Sequence, residues 1–173
     1  DRDTPIPGDV KVVLGGSTVA VLDRPSGNLW VTALDALGSL DVRSTEPLAE
    51  LGRDADVAVA EDGTVHAVSP KESTVVTVTV DAEGEPKEPS SSRLDALSAK
   101  AAPTITVVGS TPVVYDDVAG AVLTTGGLNT AVPASSTVLL QQASASSDAV
   151  TLATASDLIQ VPFDGSEPIV IHS

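Results

Sequence analysis

His66 and His172 are the only imidazoles in the chain and cysteine is absent, so any chemistry must be sought among two histidines, many serines and 24 acids. A histidine-rich metal site needs two or three imidazoles converging on one ion, and the count falls short. Serine is abundant, yet no Gly-x-Ser-x-Gly elbow presents one as a nucleophile. Asp116-Asp117 is the densest acidic pair. Glycoside hydrolysis needs two carboxyls facing one bond about 5 to 9 Å apart, whereas adjacent strand residues point to opposite faces, so this pair alone does not suffice. Glu61-Asp62-Gly63 supplies acids without the alternating oxygen spacing of a dedicated calcium loop. Gly15-Gly16 and Gly126-Gly127 are isolated; phosphate cradles need a glycine-rich turn feeding a helix, and tight hairpins account for these pairs. No catalytic, cofactor-binding or metal-ligating set is assigned from these residues, and no cofactor is expected.

The elements that would position such groups are legible from a repeat. Segments 12–21, 57–66, 105–114 and 150–159 share an apolar run, a short turn and a second apolar run. Their equivalent turn residues Thr18, Thr64, Thr111 and Asp157 lie 46, 47 and 46 positions apart. A period in this range marks a repeated small sheet, above all a propeller blade of four strands. Asp23, Ser69 and Asp116 each follow their Thr by five residues, and Gly27, Ser73 and Gly120 by nine, which places a second turn between a second and a third strand. Asp164 is read as a further turn acid of this kind, so repetition alone explains these aspartates. Leu48 and Leu51 recur as Leu94 and Leu97, and Leu140 lies 46 beyond Leu94; they mark a fourth, outer strand or a short helical turn. Segments 81–89 and 143–148 are polar and suit exposed connections. A helical turn is allowed at 95–101, and the rest is β.

The expected fold is therefore all-β and β-propeller-like, a single domain over 1–173. Its blades run at about 9–56, 57–103, 104–149 and an incomplete 150–173. Residues 1–8 have the phase of an outer strand, but Asp1, Asp3, Pro5, Pro7 and Gly8 form strands poorly. Two geometries follow: a small ring closed by the chain ends, or an arc of a larger ring. The arc is favoured, and it leaves two bare sheet faces that seek partners. In this frame His66 stands where the first and third repeats have Ala20 and Val113, facing the central channel or serving structure. His172, one residue from the end, is expected to fray.

Composition narrows the function classes. The net charge of −15 makes nucleic acid an improbable partner, because binding it requires bases to displace condensed counterions. No Lys or Arg follows Lys100. Only one Trp, one Tyr and one Phe are present, so the core must be built from small and β-branched side chains that suit packed sheets. The chain has no initiator Met, no signal peptide and no apolar run of about 18 residues, so it reads as an internal piece of something longer, making no direct membrane contact of its own.

The stretches Val19-Ala20-Val21-Leu22-Asp23-Arg24-Pro25-Ser26-Gly27-Asn28-Leu29-Trp30-Val31, Pro47-Leu48-Ala49-Glu50-Leu51-Gly52 and Asp62-Gly63-Thr64-Val65-His66-Ala67-Val68-Ser69-Pro70 resemble the propeller region of large cell-surface or secreted actinobacterial proteins. Leu158-Ile159-Gln160-Val161-Pro162-Phe163-Asp164-Gly165-Ser166-Glu167-Pro168 is similar to a further blade of that region. In that family the propeller follows a membrane anchor and precedes fibronectin type III or immunoglobulin-like modules. The resemblance implies an extracellular or cell-surface location, and names no active site. Asp23 to Trp30 also resembles the quinone-enzyme propeller repeat, but Ser26 replaces Thr and Trp30 comes one residue early, so Trp30 is read as a core or edge aromatic.

The expected function is a non-catalytic scaffold or binding module of a larger bacterial surface protein, with a protein or carbohydrate ligand held by loops at one mouth of the ring. A fragment of a propeller hydrolase or lyase is one alternative. The other is a homotypic assembly module, a homo-oligomer pairing through exposed blade faces.

Overall fold

The computed structural model describes residues 9–133 and 137–172, so the expectation for 1–8 lies outside the described residues. Sixteen strands form four antiparallel sheets of four, with no α-helix among the described residues. The first sheet runs β1 (Val10–Gly15), β2 (Thr18–Asp23), β3 (Asn28–Ala33) and β4 (Ala49–Glu50). The second runs β5 (Asp56–Val59), β6 (Val65–Ser69), β7 (Thr74–Val78) and β8 (Ser90–Arg93). The third runs β9 (Thr104–Val108), β10 (Thr111–Asp116), β11 (Ala121–Thr124) and β12 (Asn129–Ala131). The fourth runs β13 (Leu139–Leu140), β14 (Ala149–Ala153), β15 (Asp157–Pro162) and β16 (Ile169–His172).

The sheets stack face to face in chain order. Ala20, Leu22, Leu29 and Val31 of the first meet Val57, Val59, Val65 and Val78 of the second. The other face of the second, with Ala58, Val68 and Val75, meets Ile105, Val107, Val114 and Leu123 of the third. Val108, Val113, Tyr115 and Val122 then pack on Val150, Leu152, Ile159 and Val161 of the fourth. Burial on both faces explains why β5 and β6 are buried at every position, and why their sequences read as apolar runs without strict alternation. Each fully buried Val or Leu contributes about 1.5–3 kcal/mol, so many modest side chains replace the few aromatics most cores use.

Among the described residues the stack does not close into a ring, because no further sheet covers the outward faces of the first and fourth sheets. The first sheet's outward face, with Val19, Val21 and Trp30, is partly roofed by Leu37, Leu40 and Val42 from its own β3–β4 connection. On the fourth sheet, strand register aligns Leu139, Ala153, Leu158 and Ile171 in one row across all four strands. Leu139, Leu158 and Ile171 in that row are exposed.

The last repeat departs from the sequence reading. Leu140 belongs not to an outer strand of the third sheet, a place that β12 fills, but to β13, which pairs with β14. Segment 150–159 therefore takes the second and third places of a complete four-stranded sheet, rather than opening an incomplete one. Any hairpin of a meander presents the same apolar–turn–apolar pattern, so spacing alone does not say which hairpin it is. The 95–101 segment forms two tight turns, closed by Leu97 N–H on the Leu94 carbonyl and Ala101 N–H on the Ser98 carbonyl, and no helix.

Candidate functional site: the first-strand cleft

The opening strands β1, β5, β9 and β13 border a cleft of about 530 Å³. Register places three polar residues there by the same rule. Lys11, Asp56 and Thr104 lie opposite Leu22, Val68 and Tyr115, each four residues beyond the repeat threonines Thr18, Thr64 and Thr111. All three residues occupy equivalent positions on successive first strands.

Asp56 is the hub. Its side chain is 4% exposed; Oδ1 meets the Lys11 Nζ at 2.7 Å and the Arg24 guanidinium at 3.5 Å, while Oδ2 accepts the Ile105 N–H at 3.1 Å. One carboxylate thus ties the first, second and third sheets. Such a buried charge is tolerated only where partners replace its lost water. Thr104 Oγ1 and Thr106 Oγ1, two residues apart on one face of β9, are buried and have no hydrogen-bond partner within the protein. Arg24 and Thr104 also border an adjoining depression of about 330 Å³, lined as well by Asp9, Arg53 and Asp54.

The residues singled out by sequence are placed as follows. His66 is buried, with Nδ1 3.1 Å from the Thr77 hydroxyl, and shares its sheet face with Val68 and Ala58 against the third sheet; it does not line the cleft. Burial pushes its imidazole below the ordinary value, against a smaller opposing pull from the Asp62 carboxylate. The Asp62 carboxylate accepts the Thr64 N–H at 2.9 Å, which holds it below the usual range and closes the β5–β6 hairpin. Burial alone would raise the Asp116 carboxyl, but hydrogen bonds from the N–H groups of Ala119, Ser98 and Val118 outweigh it and hold the group below its ordinary value. Asp117 accepts the Ala102 N–H at 2.8 Å, so both members of the acidic pair clasp the connection before β9.

Asp23 and Asp164 are turn acids bonded by Ser26 and Ser166 respectively. His172 lies in β16 opposite Asp157 with Nδ1 on Oδ1, its side chain exposed. The Ser156 hydroxyl donates to the same carboxylate at 2.7 Å, and together with His172 it keeps Asp157 below the ordinary value. A nucleophilic triad requires the imidazole between serine and acid, and here the acid is in the middle. Trp30 is buried on the first sheet's outward face, its indole N–H donating to the Thr45 carbonyl at 2.9 Å beside an apolar pocket of about 700 Å³. Gly15 serves close approach, since a Cβ there would lie 2.5 Å from the Ala60 carbonyl oxygen.

Sequence reasoning missed Lys11, Asp56, Thr104 and Thr106. The β5–β6 hairpin is one residue longer than its neighbours, so Asp56 lies 45 after Lys11 and 48 before Thr104, off the period used for alignment. Aligned by strand partner, Thr106 stands where the first and second sheets have Val13 and Ala58, and that polar intrusion was the available signal.

No family model matches the chain, and no curated protein is detectably similar to it. Among solved structures, a protein of unknown function from Bacteroides caccae superposes with a TM-score of 0.51 at 11% identity. The match covers 98% of this chain and 64% of that one, and at this identity it is a likeness of fold alone.

Proposed function

We propose that the chain is an arc of a β-propeller acting as a non-catalytic binding module, with the first-strand cleft as its recognition site. The observation that carries this reading is the convergence of Lys11, Asp56 and Thr104, from equivalent positions on three successive sheets, on one cleft. Rigid sheets hold polar groups at fixed spacing there, which is how a scaffold confers specificity. The engagement of Asp62, Asp116, Asp117 and Asp164 in turns and connections supports binding over hydrolysis. The surface-protein resemblance supports placing the module outside a bacterial cell within a longer chain. The test pairs a turnover panel of sugars, peptides and esters with ligand titration. Binding without turnover is expected, and turnover abolished by Asp56→Asn would favour the hydrolase or lyase reading.

A second reading has its own support in the exposed row Leu139, Leu158 and Ile171 on the fourth sheet. Such a row suits end-to-end pairing of two copies through their bare sheet faces.

A further inference from the structure

Resting on the pairing reading, we propose that two copies join head to tail, the outward face of the fourth sheet in one docking on the outward face of the first sheet in the other. The stacking rule inside the chain carries this assignment. Three times in succession the face turned toward the following sheet, with Ala20 and Leu22, then Ala58 and Val68, then Val113 and Tyr115, packs on the opposite kind of face of that sheet. The fourth sheet's free face is the next of the first kind, and the first sheet's free face is the missing member of the second kind. A second copy is thus the partner that continues the same contact. Two fourth sheets set face to face would match a pair of like faces that the chain nowhere brings together.

Chemistry and shape agree with this pairing. Strand alternation turns Thr151, Ala153, Leu158, Gln160, Ile169 and Ile171 outward on the fourth sheet, and no charged residue occupies an outward position on β13 to β16. On the first sheet the outward positions carry acids only in the end row, Asp23 and Glu50, although the chain bears a net charge of −15. The connection 34–48 rests on Val19, Val21 and Trp30 but leaves Val12 and Leu14 of β1 each 55% exposed. Between that connection and Val12, Val21 and Trp30 opens the apolar pocket of about 700 Å³, a socket for side chains projecting from the fourth sheet, where Leu158 is 49% and Ile171 58% exposed. An apolar patch that matches a pocket elsewhere on the same molecule makes a heterologous contact, not an isologous one.

The experiment blocks each face separately, with Leu158→Glu plus Ile171→Lys on the fourth sheet and Val12→Glu plus Leu14→Glu on the first, and reads mass by sedimentation. Thermal melts check that both variants fold, as substitutions at exposed positions allow. Wild type is expected to associate and each variant alone to be a monomer. An equimolar mixture of the two should regain twice the chain mass and go no further, because one intact face of each kind remains. Dilution of wild type should shift the emission of Trp30, the single tryptophan, which stands on the docked face. If the first-sheet variant still pairs on its own, or the mixture stays monomeric, head-to-tail docking is overturned while pairing of the wild type stands. If wild type is a monomer at every concentration, both fall.

Discussion

Asp56 shows how a single side chain works here as a cross-sheet clamp. Lys11 is 30% exposed and Arg24 44%, so both regain water if the carboxylate is removed, whereas the Ile105 N–H is left unpaired in the interior. Asp56→Ala is therefore expected to cost about 2 kcal/mol, below the 3–5 kcal/mol typical of breaking a fully buried pair. Asp56→Asn, whose amide oxygen still accepts from Ile105, should cost less; urea denaturation of the two variants decides. His66 sets a pH dependence. Its folded value lies below its ordinary 6.5, so the unfolded chain binds the proton first as pH falls. The stability it contributes is complete above about 6.5 and is lost on acidification through the folded value. The denaturation midpoint should thus fall between pH 7 and 5, and His66→Val should flatten that limb. A separate loss below about pH 4 belongs to the carboxylates whose folded values are depressed, Asp62, Asp116, Asp157 and Asp164, and it should survive the histidine substitution.

Among the elements, the turns and connections carry the period while the strands carry the core. Leu51 and Leu97, 46 apart, are both buried between sheets, and the repeated leucines are legible as core for that reason. Leu51→Ala should cost about 3 kcal/mol through the cavity it leaves. Leu139→Ala, at 64% exposure, should change stability by less than about 0.5 kcal/mol. Gly27 is a sharper case. Its φ of 77° lies in the left-handed region, and a Cβ there would overlap the backbone of Gly52, so Gly27→Ala is expected to destabilise through strain and displacement of the β4–β5 connection. Thermal melts of the three variants rank these effects. Hairpin existence was readable because short apolar runs and the turn residues between them are local. The place of segment 150–159 in its sheet was not, because strand order depends on which distant edge each strand meets, and two residues of β13 took the edge of β14.

At the scale of the whole molecule, the open stack leaves the fourth sheet's outward row uncovered. If copies pair through it, light scattering of the 17.4 kDa chain should give a mass that rises with concentration. Leu158→Glu with Ile171→Lys should return it to the monomer. Added salt should strengthen the pairing, since two chains of charge −15 repel each other until screened. A wild-type monomer at high concentration removes the pairing reading.

The sequence by itself determined that the chain is all-β, that it is built from repeated hairpins about 46 residues apart, and that its core is Val, Ala and Leu. These follow from short apolar, β-branched runs and turn chemistry, which act over a few residues. Only the tertiary structure decided that Asp56 joins three sheets, that Asp116 and Asp117 clasp a connection instead of facing a substrate, and that Thr104 and Thr106 share a cleft with Lys11. Those juxtapositions arise where stacked sheets and their connections come together, and the extra residue of the β5–β6 hairpin moves Asp56 out of linear register with Lys11 and Thr104.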